Sequence, residues 1–177
     1  FWRTGKFFAW QHAGVEPDIM TIGKGLTAGY LTMSAVLTTQ AVADTISRGE
    51  AGVLMHGPTF MANPLSCAIA VESLKMLREK DMAKTVADIE QIMKQELAKA
   101  KELEQVADVR VLGSIGVIET KDCVDVGRFQ RKCVDKGVWI RPFGHNCYIM
   151  PPYIISEDQL RCLCRALIEL VSDADNY

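Results

Sequence analysis

Residues 19–38 read IMTIGKGLTAGYLTMSAVLT, two short apolar runs joined by a loop rich in glycine. Runs of this kind bounded by glycine are typical of β-strands. Both are nearly continuous rather than alternating, so they predict an α/β fold in which the strands are buried on both faces of a sheet. Lys24 stands between Gly23 and Gly25, directly after the first predicted strand.

The setting of Lys24 is that of a candidate catalytic residue. A lysine becomes a nucleophile or Schiff-base former when burial or nearby positive charge disfavours its ammonium form. Flanking glycines let the backbone turn sharply and let a flat ligand approach, and α/β folds bind ligands at strand ends. A P-loop is excluded, because Asp18 stands where its first glycine belongs and Gly25 where it needs Ser or Thr. A turn lysine with its amine in water is the alternative.

Further elements are predicted along the rest of the chain. Asn63-Pro64 is a cap followed by a first-turn proline, and Ser156 to Gln159 forms a capping box. Helices are expected at 40–48, 63–80, 82–103, 126–136 and after 156, and strands at 106–112, 115–119, 138–140 and 147–150. The predicted apolar face of the 63–80 helix is Leu65, Ile69, Leu74 and Leu77. We expect two domains, at 1–80 and 81–177, the second a smaller α+β domain.

Composition excludes several classes of function. The chain has 177 residues, 49% hydrophobic, with a net charge of -2, which offers no basic surface for nucleic acid or an anionic membrane. No apolar run is long enough to cross a membrane, and no signal peptide is recognisable. The six cysteines include no C-x-x-C pair, so we expect no metal site but buried free thiols in a reducing, cytoplasmic compartment.

Two other sites could bind anions. Gly57-Pro58-Thr59 follows His56 in a turn that offers backbone N–H groups and a hydroxyl, which suits a phosphate but also describes an ordinary loop. Arg141 ends a predicted strand among apolar residues, and its charge cannot be shed. It therefore needs a carboxylate or phosphate partner, which is either a substrate or an acidic residue of this chain.

The whole chain resembles one enzyme family. The stretches that carry the likeness are FWRTGK at 1–6, HAGVEPDI at 12–19 and GKGLT at 23–27, which resemble the lysine region of class III pyridoxal-phosphate aminotransferases. LTMSA at 31–35, MHGPTFM at 55–61 and GVWIRPFG at 137–144, leading to MPPY at 150–153, resemble one branch of that class. This branch moves an amino group from S-adenosylmethionine to 8-amino-7-oxononanoate in biotin biosynthesis.

The resemblance implies a fold and a set of roles. The fold would be that of fold type I pyridoxal-phosphate transferases, with the end of the large domain followed by the small C-terminal domain. Lys24 would hold pyridoxal 5'-phosphate and transfer the substrate proton. Pro58 and Thr59 would bind the cofactor phosphate of the neighbouring subunit of a homodimer, and Gly57 would line the substrate site. Arg141 would bind the substrate carboxylate, and Tyr148 is a further candidate for the pocket wall.

The sequence departs from the family pattern in two places. Trp2 stands where the family usually has glycine. The chain opens on Phe in mid-pattern, and the resemblance places the aspartate for the pyridine nitrogen just upstream. We therefore expect a piece of a longer polypeptide, too incomplete to transaminate by itself. The alternatives are an ω-aminotransferase acting on ornithine, 4-aminobutyrate or a similar amine, and a non-catalytic dimerisation module.

Overall fold

The structure is a computed structural model that describes residues 1–177. It contains two compact units, one formed by Phe1 and Trp10–Met82 and the other by Trp2–Ala9 and Ala83–Tyr177. The assignment of residues 1–80 and 81–177 to a large and a small domain of the family stays a prediction. None of the helices has the length and apolar content that a bilayer crossing requires.

The first unit contains an antiparallel ribbon and two helices. Strand β1 (Ile19–Ile22) pairs with β2 (Ala35–Thr38), and the glycine-rich loop connects them. Helix α1 covers Gln40–Arg48 and helix α2 covers Pro64–Glu79. These elements were predicted from the sequence, and the predicted cap is present, since Asn63 Oδ1 accepts hydrogen bonds from the amides of Leu65 and Ser66.

Two expectations for this unit were wrong. Strands β1 and β2 pair antiparallel with each other and with no third strand, whereas strands buried on both faces are typical of parallel sheets covered by helices. As a result Ile19 and Val36 remain 58% and 63% exposed in this chain. In α2 the predicted apolar face is also partly wrong, because Leu65 is exposed and the buried residues are Ser66, Ala70 and Ser73.

The second unit is a three-stranded antiparallel sheet with three helices. Its order is β3-β4-β5, formed by Val106–Leu112, Ile115–Thr120 and Asn146–Ile149. The helices are α3 (Met82–Leu97, which begins at the last residue of the first unit), α4 (Val126–Asp135) and α5 (Glu157–Ser172). Helix α3 ends before the predicted 103, and a 3-10 turn continues over Ala98–Glu102. The helices and sheet enclose the main core, which includes Met93, Leu97, Ile118, Phe129, Leu160 and Leu167.

The predicted strand at 138–140 is not formed. Val138 N donates to Cys133 O at 3.0 Å, and Cys133 Sγ lies 3.6 Å from Ile140 O. These contacts join the segment to the end of α4 instead of to the sheet. Ile140 is nevertheless almost fully buried. The apolar residue at this position is therefore explained by burial in the core and not by pairing in a strand.

Trp2–Ala9 packs against the β3–β4 turn. Ser114 N donates to Arg3 O at 2.9 Å. The Arg3 guanidinium donates to Ser114 Oγ and to Pro151 O at 3.0 and 2.8 Å, and it lies 4.7 Å from the centre of the Tyr153 ring. The segment is therefore held by both its backbone and its side chain.

Candidate active site

Lys24 lies in a tight turn directly after β1. It opens a 3-10 turn over Lys24–Thr27, closed by hydrogen bonds from Leu26 N to Gly23 O and from Ala28 N to Gly25 O. The turn is anchored from below, because Leu26 and Thr27 are buried and Ser73 Oγ of α2 donates to Gly25 O at 3.4 Å. The sharp turn expected around Lys24 is thus present.

The backbone of Lys24 adopts an unusual conformation. Its φ is +48°, in the left-handed region, which costs a residue with a side chain about 1–2 kcal/mol. Such outliers cluster where a side chain must be aimed for function. The Lys24 side chain is exposed in this chain, and its amine makes neither an ion pair nor a hydrogen bond. Within this chain, therefore, Lys24 has the geometry of a turn lysine with its amine in water, accessible to a ligand but not buried.

The loop at 57–59 is open to solvent. Met61 N donates to Pro58 O at 2.9 Å and closes a turn, as the glycine and proline predict. The amide and hydroxyl of Thr59 have no partner in the chain, and nothing lies within 4 Å of the position that a Cβ on Gly57 would take. No hydrogen bond joins this loop to Lys24. Its donors are thus available to an anion, and they are not used within this chain.

The structure brings Arg141 and Tyr148 together. Both line a concavity of about 350 Å³ in the second unit, with Pro142, Phe143 and Asn146. Contrary to expectation, Arg141 is exposed and not embedded among apolar groups, since Phe143 is itself 77% exposed. Arg141 has no acidic partner in the chain, so the alternative of an internal ion pair is wrong.

Two arginines lie near this concavity, and only Arg141 lacks an acidic partner. Arg110 of β3 donates to Asn146 Oδ1 at 3.1 Å, but it is already paired with Glu119 and with Asp108. Hydrogen bonds to Glu119 and then to Asp108 raise the pKa of Arg110 and keep it charged. Because two carboxylates offset that charge, Arg141 is the lining residue able to bind an anion.

Sequence reasoning missed Asn146 as a lining residue. A usable signal was present, because residues 146 and 148 lie on one face of a strand that has a period of two. The predicted strand began at 147, one residue too late, whereas β5 begins at Asn146, two positions before Tyr148. No group of three or more His, Cys, Asp or Glu side chains is arranged to hold a metal ion.

Comparison with known proteins gives the family. Residues 1–171 match the family model described as aminotransferase class III. The chain belongs to the class III aminotransferase family. The resemblance found in its lysine region is thereby confirmed, and so is the α/β fold class, that of the fold type I transferases.

Relatives extend the match over nearly the whole chain. The adenosylmethionine-8-amino-7-oxononanoate aminotransferase of Buchnera aphidicola subsp. Schizaphis graminum is 46% identical over 99% of this chain and 40% of its own length. The crystal structure of the enzyme of that name from Methanocaldococcus jannaschii is 34% identical, with a TM-score of 0.83 over 98% of this chain and 43% of its own.

A third match is to a solved complex. The ω-transaminase from Pseudomonas jessenii, determined in complex with PMP, is 26% identical and has a TM-score of 0.85 over 97% of this chain and 41% of its own. In each case the chain spans less than half the length of the protein that it matches. The roles assigned to individual site residues stay predictions.

Proposed function

We propose that this chain is part of a transaminase that moves the amino group of S-adenosylmethionine to 8-amino-7-oxononanoate in biotin biosynthesis, giving 7,8-diaminononanoate. The observation that carries the proposal is Arg141, an uncompensated guanidinium at a concavity also lined by Tyr148. It matches the carboxylate of the keto substrate. The 46% identity to an enzyme of that name supports the choice of substrates.

The residues of the first unit fit pyridoxal 5'-phosphate. Lys24 offers a free amine on a turn flanked by glycines, and Thr59 offers an unused amide and hydroxyl. The chemistry that the cofactor supplies when bound is an electron sink for the carbanion at the substrate Cα. Lys24 Nζ would hold the cofactor covalently and would serve as the base that takes up and returns the proton at the substrate Cα.

The remaining roles concern binding. Pro58 and Thr59 would hold the cofactor phosphate of the neighbouring subunit, which makes a homodimer necessary, and Gly57 would leave room for substrate. Arg141 would form a bidentate pair with the carboxylate of 8-amino-7-oxononanoate, with Tyr148 as a wall. We infer no nucleic-acid or membrane partner. The six free cysteines support a cytoplasmic location.

The decisive experiment uses the full-length polypeptide and its Lys24→Ala variant. With pyridoxal phosphate added, wild type should show the visible absorption band of the lysine-bound cofactor, and the variant should lack it. Wild type should then use S-adenosylmethionine in preference to ornithine or 4-aminobutyrate. A band that survives the substitution would remove Lys24 from its role, and preference for ornithine or 4-aminobutyrate would favour another ω-aminotransferase.

The role of Arg141 has its own test. Arg141→Ala should weaken binding of the keto substrate roughly 10- to 100-fold, the value of one charge-assisted pair, while the half-reaction with the amino donor continues. Arg165→Ala is the matched control, because Arg165 is an exposed, unpaired arginine of α5 that does not line the concavity. Equal loss in both half-reactions would show that Arg141 is structural.

A further inference from the structure

Cys123 and His145 form a nucleophile–base pair outside the lining of the Arg141 concavity. Cys123 Sγ lies 3.2 Å from His145 Nε2, within hydrogen-bonding distance, and both residues are exposed. Neither lines the Arg141 concavity, and neither has a role in the proposed transamination. A thiol beside an imidazole that is itself held by a third group is the arrangement of an activated nucleophile.

The sheet register brings the two residues together. The β4–β5 ladder pairs Glu119 with Asn146, so the next positions, Thr120 and His145, also face each other. Thr120 N donates to His145 O at 2.8 Å, and the buried Thr120 hydroxyl donates to Asp122 O at 2.7 Å. These bonds fold the chain after β4 back so that Cys123 meets the imidazole.

The same backbone fixes the tautomer of His145. Its Nδ1 lies 3.0 Å from Thr120 O, and a carbonyl oxygen can only accept, so Nδ1 carries the hydrogen. In the neutral ring Nε2 is then unprotonated and faces Cys123 Sγ. The thiol therefore donates to Nε2, which is positioned to take its proton.

Charged side chains of the surrounding elements do not displace this contact. The loop of Cys123 carries Lys121, Asp122 and Asp125, α4 carries Arg128, and the C-terminal turn carries Asp175. Asp125 caps α4, and its hydrogen bond from the Arg128 amide is the main cause of its lowered pKa. The hydrogen-bond partner of Cys123 Sγ is His145.

We propose that Cys123 and His145 form a reactive thiol site that exchanges with low-molecular-weight disulfides such as glutathione disulfide. His145 Nε2 takes the thiol proton, and Cys123 Sγ attacks one sulfur of the disulfide. The Cys123–sulfur bond forms as the disulfide bond breaks. The departing thiolate takes the proton from His145, so one thiol and one disulfide give one mixed disulfide and one free thiol.

The other cysteines of this unit provide internal controls. Burial raises the pKa of Cys147 and of Cys164 to about 12, and it also raises the pKa of Cys133, so these thiols should stay unreactive. Cys162 is exposed on α5 and has no imidazole beside it. It reports the reactivity of an accessible thiol in the same molecule.

The test is site-resolved alkylation of the full-length protein by iodoacetamide, followed by peptide mass spectrometry between pH 5.5 and 9. An ordinary thiol slows about tenfold for each pH unit below its pKa. At pH 6.5 Cys123 should react about tenfold or more faster than Cys162. With glutathione disulfide, the peptide carrying Cys123 should gain one glutathionyl group that dithiothreitol removes.

His145→Asn isolates the role of the base. Asn can still donate to Thr120 O but offers no imidazole nitrogen to the thiol. The rate at Cys123 should fall to that of Cys162, with the Cys162 rate and the melting temperature unchanged. The proposal is overturned if Cys123 and Cys162 share one rate and pH profile in wild type, a comparison that holds even if the variant unfolds. An unchanged Cys123 rate in a folded variant overturns it equally.

Discussion

At the residue scale, four residues other than glycine occupy backbone conformations that favour glycine, and two of them, Lys24 and Trp2, carry large side chains. Lys24 has a φ of +48° and Trp2 a φ of +62°. Both positions are unusual in the sequence. Lys24 is flanked by two glycines, and Trp2 stands where the family usually has glycine. The structure gives that family preference a reason, since only glycine adopts this region without a penalty. At position 24 glycine would relieve the same strain, but it would remove the amine that the proposed function needs.

The strain at Trp2 can be measured with two substitutions. Trp2→Ala and Trp2→Gly both remove the ring, which packs edge-on against Phe7 with centroids 6.0 Å apart. Glycine alone relieves the backbone, so Trp2→Gly should unfold with a free energy about 1 kcal/mol higher than Trp2→Ala. In an ordinary conformation the order would be reversed, because glycine loses more entropy on folding. Urea unfolding of the pair decides between them.

Some site residues are recognisable in the sequence by themselves, and others only once the strands are paired. Lys24 and Arg141 were found because each stands out from its immediate neighbours. Cys123 and His145 were not found as a pair, because 22 positions separate them and only the β4–β5 register places them side by side. A site built from adjacent residues is visible in sequence, whereas one built by strand pairing needs the register.

At the element scale, capping signals predicted better than apolar runs. Asn63 and Ser156 cap α2 and α5 as expected, including the full capping box at Ser156. Caps are local hydrogen bonds, so their residues specify them directly. The expected strand at 138–140 and the expected burial of β1 and β2 failed, because both depend on which elements pair or cover a run. An apolar run alone does not contain that information.

The β3–β4 turn yields a prediction about the N-terminal segment. Gly113 has a φ of +57°, and a Cβ there would lie 2.4 Å from the backbone carbon of Thr4. Gly113→Ala should therefore cost about 3 kcal/mol of unfolding free energy, from backbone strain and displacement of the segment. Exchange of the Ser114 amide hydrogen, which is bonded to Arg3 O, should accelerate.

Gly137→Ala is the matched control for this turn. Gly137 has a φ of +71°, but nothing lies within 4 Å of its Cβ position. This variant should lose only about 1 kcal/mol, and the Ser114 amide should exchange as in wild type. Equal losses in both variants would mean that the contact with the N-terminal segment contributes nothing.

The contact between α3 and α5 predicts a dependence on pH. Glu96 is buried, and a hydrogen bond from Arg161 is the main cause of its lowered pKa. Because the folded-state pKa lies below the ordinary 4.5, the stabilisation is complete above that pH and is lost as pH falls through the folded value. Glu96→Gln should have a lower melting temperature than wild type at pH 7, and the difference between the two melting temperatures should disappear in acid. A gap that persists unchanged at low pH would assign the loss to packing.

At the scale of the whole molecule, the two units differ in how much core they enclose. The second unit buries a continuous cluster that includes Phe129, Ile118 and Leu167. The first unit leaves Tyr30, Met55 and Phe60 at least 80% exposed. Exposed apolar side chains that lie close together mark surfaces that contact other protein, and Met55 and Phe60 belong to one loop between α1 and α2. This supports the proposal that the first unit, with Lys24 and the 57–59 loop, works within a larger dimeric assembly.

Whether the two subunits share each site can be tested with two heterodimers that carry the same two substitutions, either divided between the chains or together on one chain. Thr59→Asp places a negative charge against the cofactor phosphate, and Lys24→Ala removes the amine. If Thr59 serves the neighbouring subunit, a purified heterodimer of one Lys24→Ala chain and one Thr59→Asp chain contains one intact site. It should keep about half of wild-type transaminase activity, because each subunit of a two-fold dimer completes the other's site.

The same two changes on one chain give the opposite result. In a heterodimer of wild type with a chain carrying both substitutions, the one remaining Lys24 is paired with the Thr59→Asp side chain of the other subunit, so the dimer should be almost inactive. If Thr59 instead serves the site of its own chain, the doubly substituted heterodimer keeps half its activity and the divided one is inactive. Because both dimers contain the same substitutions, the comparison cancels any effect on stability and leaves only their arrangement.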